Sequence, residues 1–297
     1  MQRIAVWLVS RPLNAVLGLV ATYILLPPLA GVFSGAVIVL LVLQHGPRRA
    51  MVEAVLAIAL LALMALLSGG SATAMALAPS LTWLPAFTLA VALRHWRSLA
   101  LTMQVSVIVA LAMLLGFYAV LGDPSVYWGD WLVNDAVPLF RDMGLQEQAA
   151  AIVENKAVIA QQMTVLFVFT MWSLYAFGLL LGNALYQASL GQKAVFGRFC
   201  DLNLGRVLAL VMAVASVAAA LSGAIWLRNF AFLVFVIFWI QGLSILHWLH
   251  ADRQFPAIIL VVVYALIPLL SALPVLSLAV VGYTDAWFGY RTRNAGR

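Results

Sequence analysis

A single cysteine, Cys200, stands in the whole chain, so an internal disulfide and any multi-cysteine metal site are excluded. Charge is almost as scarce. Only 9% of the 297 residues are charged against 65% hydrophobic, and mean hydropathy is +1.07. A soluble domain of this length needs far more polar surface, so a water-soluble globule is excluded. The apolar runs are long and continuous, without the short alternating segments of a transmembrane β-barrel. The chain also lacks a GxxxxGK[ST] phosphate loop, an HExxH metal helix and a GxSxG nucleophile turn. We therefore expect no enzyme, no catalytic residue, no cofactor and no metal. His247 and His250, with Asp252 nearby, read as interfacial polar groups rather than ligands.

Acidic residues are few and unevenly placed. Six of the ten lie between Gly122 and Ala157: Asp123, Asp130, Asp135, Asp142, Glu147 and Glu154. Only Arg141 and Lys156 oppose them there, and the other fourteen Lys and Arg residues lie in short connections or near the ends. This polar stretch separates two hydrophobic parts, so the chain reads as 1–121, 122–157 and 158–297 within one integrated membrane domain. Net charge of +6 is spread over membrane-flanking loops, which suits anionic lipid headgroups rather than nucleic acid.

The expected fold is an all-α, polytopic transmembrane helical bundle of eight to ten membrane segments, short or broken at both ends. Ser10-Arg11-Pro12 interrupts the first apolar run early, so a cleavable signal peptide is not expected and the N-terminus is read as retained. Pro27-Pro28 splits the next run into 13–26 and 29–43. Further spans read at 51–67, 75–93, 99–121, 158–185, 205–226, 229–249 and 255–281, with Pro268 and Pro274 breaking the last. Pro79 and Pro85 are candidates to kink the fourth.

The positive-inside rule places Arg48, Arg49, Arg94, Arg97, Lys193, Arg198, Arg206 and Arg253 in the cytoplasm, with both termini. The acidic segment and a tight turn at Arg228-Asn229 then face outward. A stripe from Leu145 through Ala149, Ile152, Val153, Lys156 and Ala160 reads as an interfacial amphipathic helix, or as a lid over an outward-facing cavity.

Amides inside apolar spans are costly in hydrocarbon, so Asn14, Gln104, Gln161, Gln162, Asn183, Gln187 and Gln241 are expected to face the interior. Interhelical hydrogen bonding accounts for any one of them. As a group, Gln104, Trp172, Tyr175, Asn183, Trp239 and Gln241 form a candidate cavity for a neutral or weakly polar small molecule. Gly31-xxx-Gly35 and Gly178-xxx-Gly182 permit close helix approach.

The final stretch, VVGYTDAWFGYRTR, carries Gly282, Asp285, Trp287, Phe288, Tyr290, Arg291 and Arg293. Together with FGRFCDLNLGR at 196–206 and the Gln241-Gly242-Leu243 block, it resembles the closing motif and recurring blocks of the YybS-like family of bacterial membrane proteins. That family is distantly similar to the substrate-binding S-components of energy-coupling-factor transporters. The resemblance implies a small ligand taken from outside and partners in a membrane coupling subunit and ATPases.

Asp285 is expected to pair with Arg291 or Arg293 at the bilayer edge, with Trp287 and its neighbours as an aromatic anchor. The alternative for this tail is docking of another subunit. Arg198, Asp201 and Arg206 in the 186–206 connection are candidates for the same partner surface, although Arg198 and Asp201 also fit a plain surface pair. The leading expectation is a transport-related inner-membrane protein, perceived as a small-molecule-binding subunit without its own ATPase. The rival is a membrane scaffold or regulator that holds cytoplasmic partners.

Overall fold

The computed structural model describes residues 1–25, 29–191, 195–253, 255–270 and 272–291. Pro27-Pro28, Lys193, Arg293 and Arg297 lie outside the described residues, as does the side chain of Pro268. Among the described residues the chain is helical, with no strand. Its helices are α1 (Gln2–Ser10), α2 (Pro12–Leu25), α3 (Ala30–His45), α4 (Pro47–Leu67), α5 (Ala72–Trp96) and α6 (Leu99–Leu121). Across the acidic segment run α7 (Pro124–Trp131), α8 (Val137–Asp142) and α9 (Gln146–Glu154). Then come α10 (Lys156–Leu190), α11 (Arg206–Ser222), α12 (Ile225–Ile237), α13 (Trp239–Arg253), α14 (Ala257–Leu270) and α15 (Ala272–Phe288).

Among the described residues, five stretches are long and apolar enough to cross a membrane: α4, α5, α6, α10 and the α12–α13 run. Helices α1 and α2, bent by 120° at Arg11, make a sixth if counted as one broken span. Shorter apolar helices include α3, α11 and α15. The chain is thus a helical membrane protein by length and composition.

Two compact units form. The first contains Met1–Ser106 and Trp172–Leu202, the second Val107–Met171 and Asn203–Arg297. In the first unit, α3 is buried on every face from Ser34 to Leu43. A helix that is apolar on every face suits either a core or a membrane span, and here α2, α4 and α5 pack around it and bury it. The later half of α10 joins them through the glycines singled out above. A Cβ at Gly178 would sit 3.4 Å from the backbone oxygens of Gly31 and Val32, and one at Gly182 only 2.7 Å from that of Ala36. The small-residue motifs therefore serve packing within the chain. Both Pro79 and Pro85 are accommodated inside a continuous α5.

In the second unit the corresponding core element is the α12–α13 run, continuously buried from Val236 to Ile245. Its turn at Phe238 separates the two helices. Helix α15 lies against α13, and the crossing is closed by two glycines. A side chain at Gly242 would strike the Leu278 carbonyl, and one at Gly282 the Phe238 carbonyl.

Three expectations need correction here. The turn before α12 is at Gly223 (φ +65°), not at Arg228-Asn229, because Gly223 tolerates the left-handed backbone that ends α11. Arg228 and Asn229 lie inside α12, where Asn229 is buried and donates to Tyr118 Oη at 2.7 Å and to the Gln161 carbonyl at 2.8 Å. The stripe from Leu145 to Ala160 is not one helix, because the chain breaks at Asn155 between α9 and α10. Finally, Gln162 is exposed rather than interior.

The acidic segment has a core of its own. Trp128, Leu132, Ala136 and Ala160 are buried together, and Trp128 Nε1 donates to Thr164 Oγ1 at 2.8 Å. Between α7 and α8, residues Leu132–Ala136 form a π-helical turn, so 124–142 is one bulged helix rather than a loop.

Candidate functional site

The most closely knit polar group in the second unit is built on Gln241 and Asp285. Gln241 occupies the buried face of α13, and Asp285 faces it from the last turn of α15. Gln241 Nε2 donates to Asp285 Oδ2 at 2.9 Å, while its Oε1 accepts from the Leu204 N–H at 2.8 Å. Arg291 Nη2 donates to the same Asp285 oxygen at 2.8 Å, and Arg291 Nη1 to Ser244 Oγ at 3.0 Å. The Tyr290 N–H closes on Asp285 Oδ1 at 2.9 Å.

Local sequence explains how Arg291 returns to Asp285. Gly289 takes φ +59° and ends α15, which reverses the chain within two residues. The carboxylate sits at a helix C-terminus, where the macrodipole disfavours negative charge. The guanidinium and two further N–H donors offset this, and the low exposure of Asp285 (1%) and Arg291 (12%) keeps water from screening the pair. The expected pairing of Asp285 with Arg291 is present, and it forms a joint buried within the protein. Trp287 and Tyr290 remain exposed, and Phe288 stacks on Tyr290.

Sequence reading did not anticipate Ser244 or the Leu204 amide. Ser244 stands three residues after Gln241, hence on the same helix face, and that spacing was the available signal. Of the connection residues, Arg198 and Asp201 form an exposed two-point pair at 2.8 and 2.9 Å. Exposed pairs of this kind contribute little to stability. Arg206 is exposed at the first turn of α11.

The six candidate cavity residues divide between the units. Trp239 and Gln241 belong to the second, Gln104, Trp172, Tyr175 and Asn183 to the first. Trp239 and Gln241 are two positions apart on one helix and so point to different sides of it. Trp239 packs against Phe169 at 6.3 Å, whereas both polar atoms of Gln241 are engaged in the joint. Trp172 Nε1 donates to Ser106 Oγ at 3.0 Å, and Gln104 and Tyr175 are half-buried.

Asn183 differs from the rest. It is 3% exposed, and its Oδ1 has no hydrogen-bond partner among the described residues. Trp172 lies three turns earlier on the same face of α10. A buried unpaired acceptor costs about 1–3 kcal/mol, so such an atom calls for an occupant or a function.

A second buried ion pair lies in the first unit. Glu53 is 2% exposed and meets His45 Nδ1 at 3.1 Å and Arg49 Nε at 3.2 Å. His45 Nε2 reaches the Val9 carbonyl at 3.1 Å, which ties α1 to the end of α3. His247 and His250 take separate partners, Tyr264 Oη at 2.9 Å and the Phe255 carbonyl at 2.7 Å. No group of three His, Cys, Asp or Glu residues that could hold a metal occurs among the described residues.

Compared with family models, curated proteins and solved structures, the chain finds no match.

Proposed function

We propose that this chain is a transport-related protein of a bacterial inner membrane, a small-molecule-binding subunit that carries no ATPase of its own. The observation that supports this reading is Asn183 Oδ1, a buried acceptor without a protein partner. Protein interiors rarely leave such an atom open, and a bound small molecule would satisfy it. The five long helices, the bent pair and the shorter apolar helices supply enough segments for eight to ten crossings. In this reading the basic connections are cytoplasmic, the acidic segment is outside and both termini are inside, as the positive-inside rule favours. A membrane coupling subunit and ATPases would complete such a system, in keeping with the resemblance to the YybS-like family.

The test is purification of the full chain from native membranes, with mass spectrometry of retained small molecules and co-purifying proteins. A small molecule held by the wild type and lost from Asn183→Leu supports the reading. Equal small-molecule content in both overturns it.

One observation favours a second reading, a scaffold or regulator for cytoplasmic partners. The end of the 186–206 connection, through the Leu204 amide, and the C-terminal Arg291 are held at the same joint. A partner could therefore grip both as one surface. Co-purified cytoplasmic proteins that are lost on Arg206→Ala would favour it.

A further inference from the structure

The first unit contains a cavity of about 390 Å³ lined by Leu43, Gln44, Arg94, Arg97, Tyr186 and Phe196, among others. None of these belongs to the joint or to the candidate cavity considered above. Two arginines line one space, and among the described residues neither is in an ion pair. Arg94 is positioned by one end only. Its Nη1 donates to the Val42 and Leu43 carbonyls at 3.1 and 2.7 Å, capping the C-terminus of α3. The remaining donors of its fork are not used by those two bonds.

Arg97 is the only described non-glycine residue with positive φ, at 53°. It caps α5 in the left-handed conformation that most side chains avoid, through its N–H to the Leu93 carbonyl at 2.8 Å. Asparagine or glycine would hold this backbone more easily. Arginine is held here although the backbone suits asparagine or glycine better, and its side chain lines the cavity.

The lining is also aromatic and well held. Tyr186 and Phe196 stack with centroids 5.5 Å apart, and the Phe196 carbonyl accepts from the Leu99 N–H at 2.8 Å. Asn183 lies one helical turn before Tyr186 on α10. The cavity is thus lined by two arginines and by a stacked aromatic pair.

We propose that this cavity is an anion site that takes the phosphate of an organic phosphate, with the phosphate on Arg94 and Arg97 and the organic part against Tyr186 and Phe196. Guanidinium forks match phosphate oxygens in pairs, and the uncompensated positive charge at the site favours a multiply charged group. The phosphate can come from an anionic lipid headgroup or from a free organophosphate, and the chemistry of recognition is the same. The inference goes beyond the small-molecule reading, because its residues are not those of the Asn183 site, and it is tested by equilibrium binding without any uptake assay. Phosphate binding can therefore fail while Asn183-dependent ligand retention stands, and the reverse.

The experiment uses the purified full chain. Thermal unfolding is followed against inorganic phosphate and glycerol 3-phosphate, with potassium chloride at matched ionic strength as control. Native mass spectrometry from vesicles of dioleoyl-phosphatidylglycerol, with dioleoyl-phosphatidylcholine for comparison, reads lipid retention. Arg97→Asn removes the guanidinium and suits the left-handed backbone, and Arg97→Gly serves if that variant does not fold. Arg48→Gln, an exposed charge outside the lining, is the control.

A saturable stabilisation by the free phosphates, weakened roughly tenfold or more in Arg97→Asn and unchanged in Arg48→Gln, assigns the site to a free organophosphate. Selective retention of phosphatidylglycerol, lost in Arg97→Asn but not in Arg48→Gln, assigns it to a lipid headgroup. Failure of both probes to bind the wild type overturns the proposal, as does equal binding by wild type and Arg97→Asn.

Discussion

Gln241 and Asp285 meet at 2.9 Å between α13 and α15, with exposures of 0% and 1%. Both polar atoms of each side chain have protein partners, so the contact fixes the register of the two helices. It sits where Gly242 and Gly282 bring the backbones close. Small residues and a satisfied polar pair at one crossing replace the hydrophobic drive that is missing between helices in lipid.

Removal of one member of the ion pair should be severe. Asp285→Ala leaves Arg291 at 12% exposure without its carboxylate, and should lower stability by about 3–5 kcal/mol. The double variant Asp285→Leu/Arg291→Met removes both charges, and should recover most of that loss. Denaturant or thermal unfolding of the detergent-solubilised variants checks this. Equal losses in the single and double variants would show that the charges are not what the joint depends on.

The glycine crossings predict a contrast within one residue type. Gly242→Ala and Gly282→Ala place a methyl group against backbone carbonyls, which cannot move aside as a flexible side chain can. Each should cost about 1–3 kcal/mol or prevent folding. Gly182→Ala should behave similarly, with its Cβ only 2.7 Å from the Ala36 oxygen. Gly116→Ala meets nothing within 4 Å, and should be neutral or slightly stabilising because alanine is the better helix former. Thermal unfolding midpoints across the four variants test the ordering.

The partners behind these effects were legible in the sequence to different depths. Hydropathy located most helices because it reports which residues avoid water, and the break near Ser10 to Pro12 was readable from the polar and proline residues there. The pairing of Asp285 with Arg291 was readable because the two are close in sequence. Gln241 was readable as interior, but its partners were not. Leu204 and Asp285 lie 37 and 44 positions away, and no local pattern encodes which distant donor fills an acceptor. The turn at Gly223 was missed because Arg228 and Asn229 are polar, whereas φ > 0 at a glycine is the stronger stop signal. The Arg94 and Arg97 cavity was missed because two arginines beside a span first read as topology signals.

Glu53 offers a test of the first unit. Glu53→Gln keeps the shape but removes the charge that faces His45 and Arg49. Glu53→Leu also removes both acceptor oxygens, and should be the more damaging, by about 1–3 kcal/mol relative to wild type. Because His45 also reaches Val9, increased proteolysis within α1 should accompany the loss. Unchanged protection of α1 in Glu53→Leu would show that His45 is held without Glu53.

Asn183→Leu makes a prediction opposite in sign. Its Oδ1 is buried without a partner, and an apolar side chain of similar volume removes that cost. The ligand-free variant should be more stable than wild type by about 1 kcal/mol, seen as a higher unfolding midpoint. A destabilised variant would mean that the amide already has a partner such as ordered water.

The orientation can be tested with the one native cysteine. Cys200 is 7% exposed, and Cys200→Ser gives a background without thiols. Gln146→Cys then reports the acidic segment and His95→Cys the basic end of α5, both at exposed positions. In intact cells stripped of their outer membrane, a membrane-impermeant maleimide should label Gln146→Cys alone, and His95→Cys should react only after lysis. The reverse pattern would invert the topology and place the Arg94 and Arg97 cavity outside, where a cytoplasmic organophosphate could not reach it. Labelling of both positions before lysis would mean that the spans between them do not carry the connections to opposite faces.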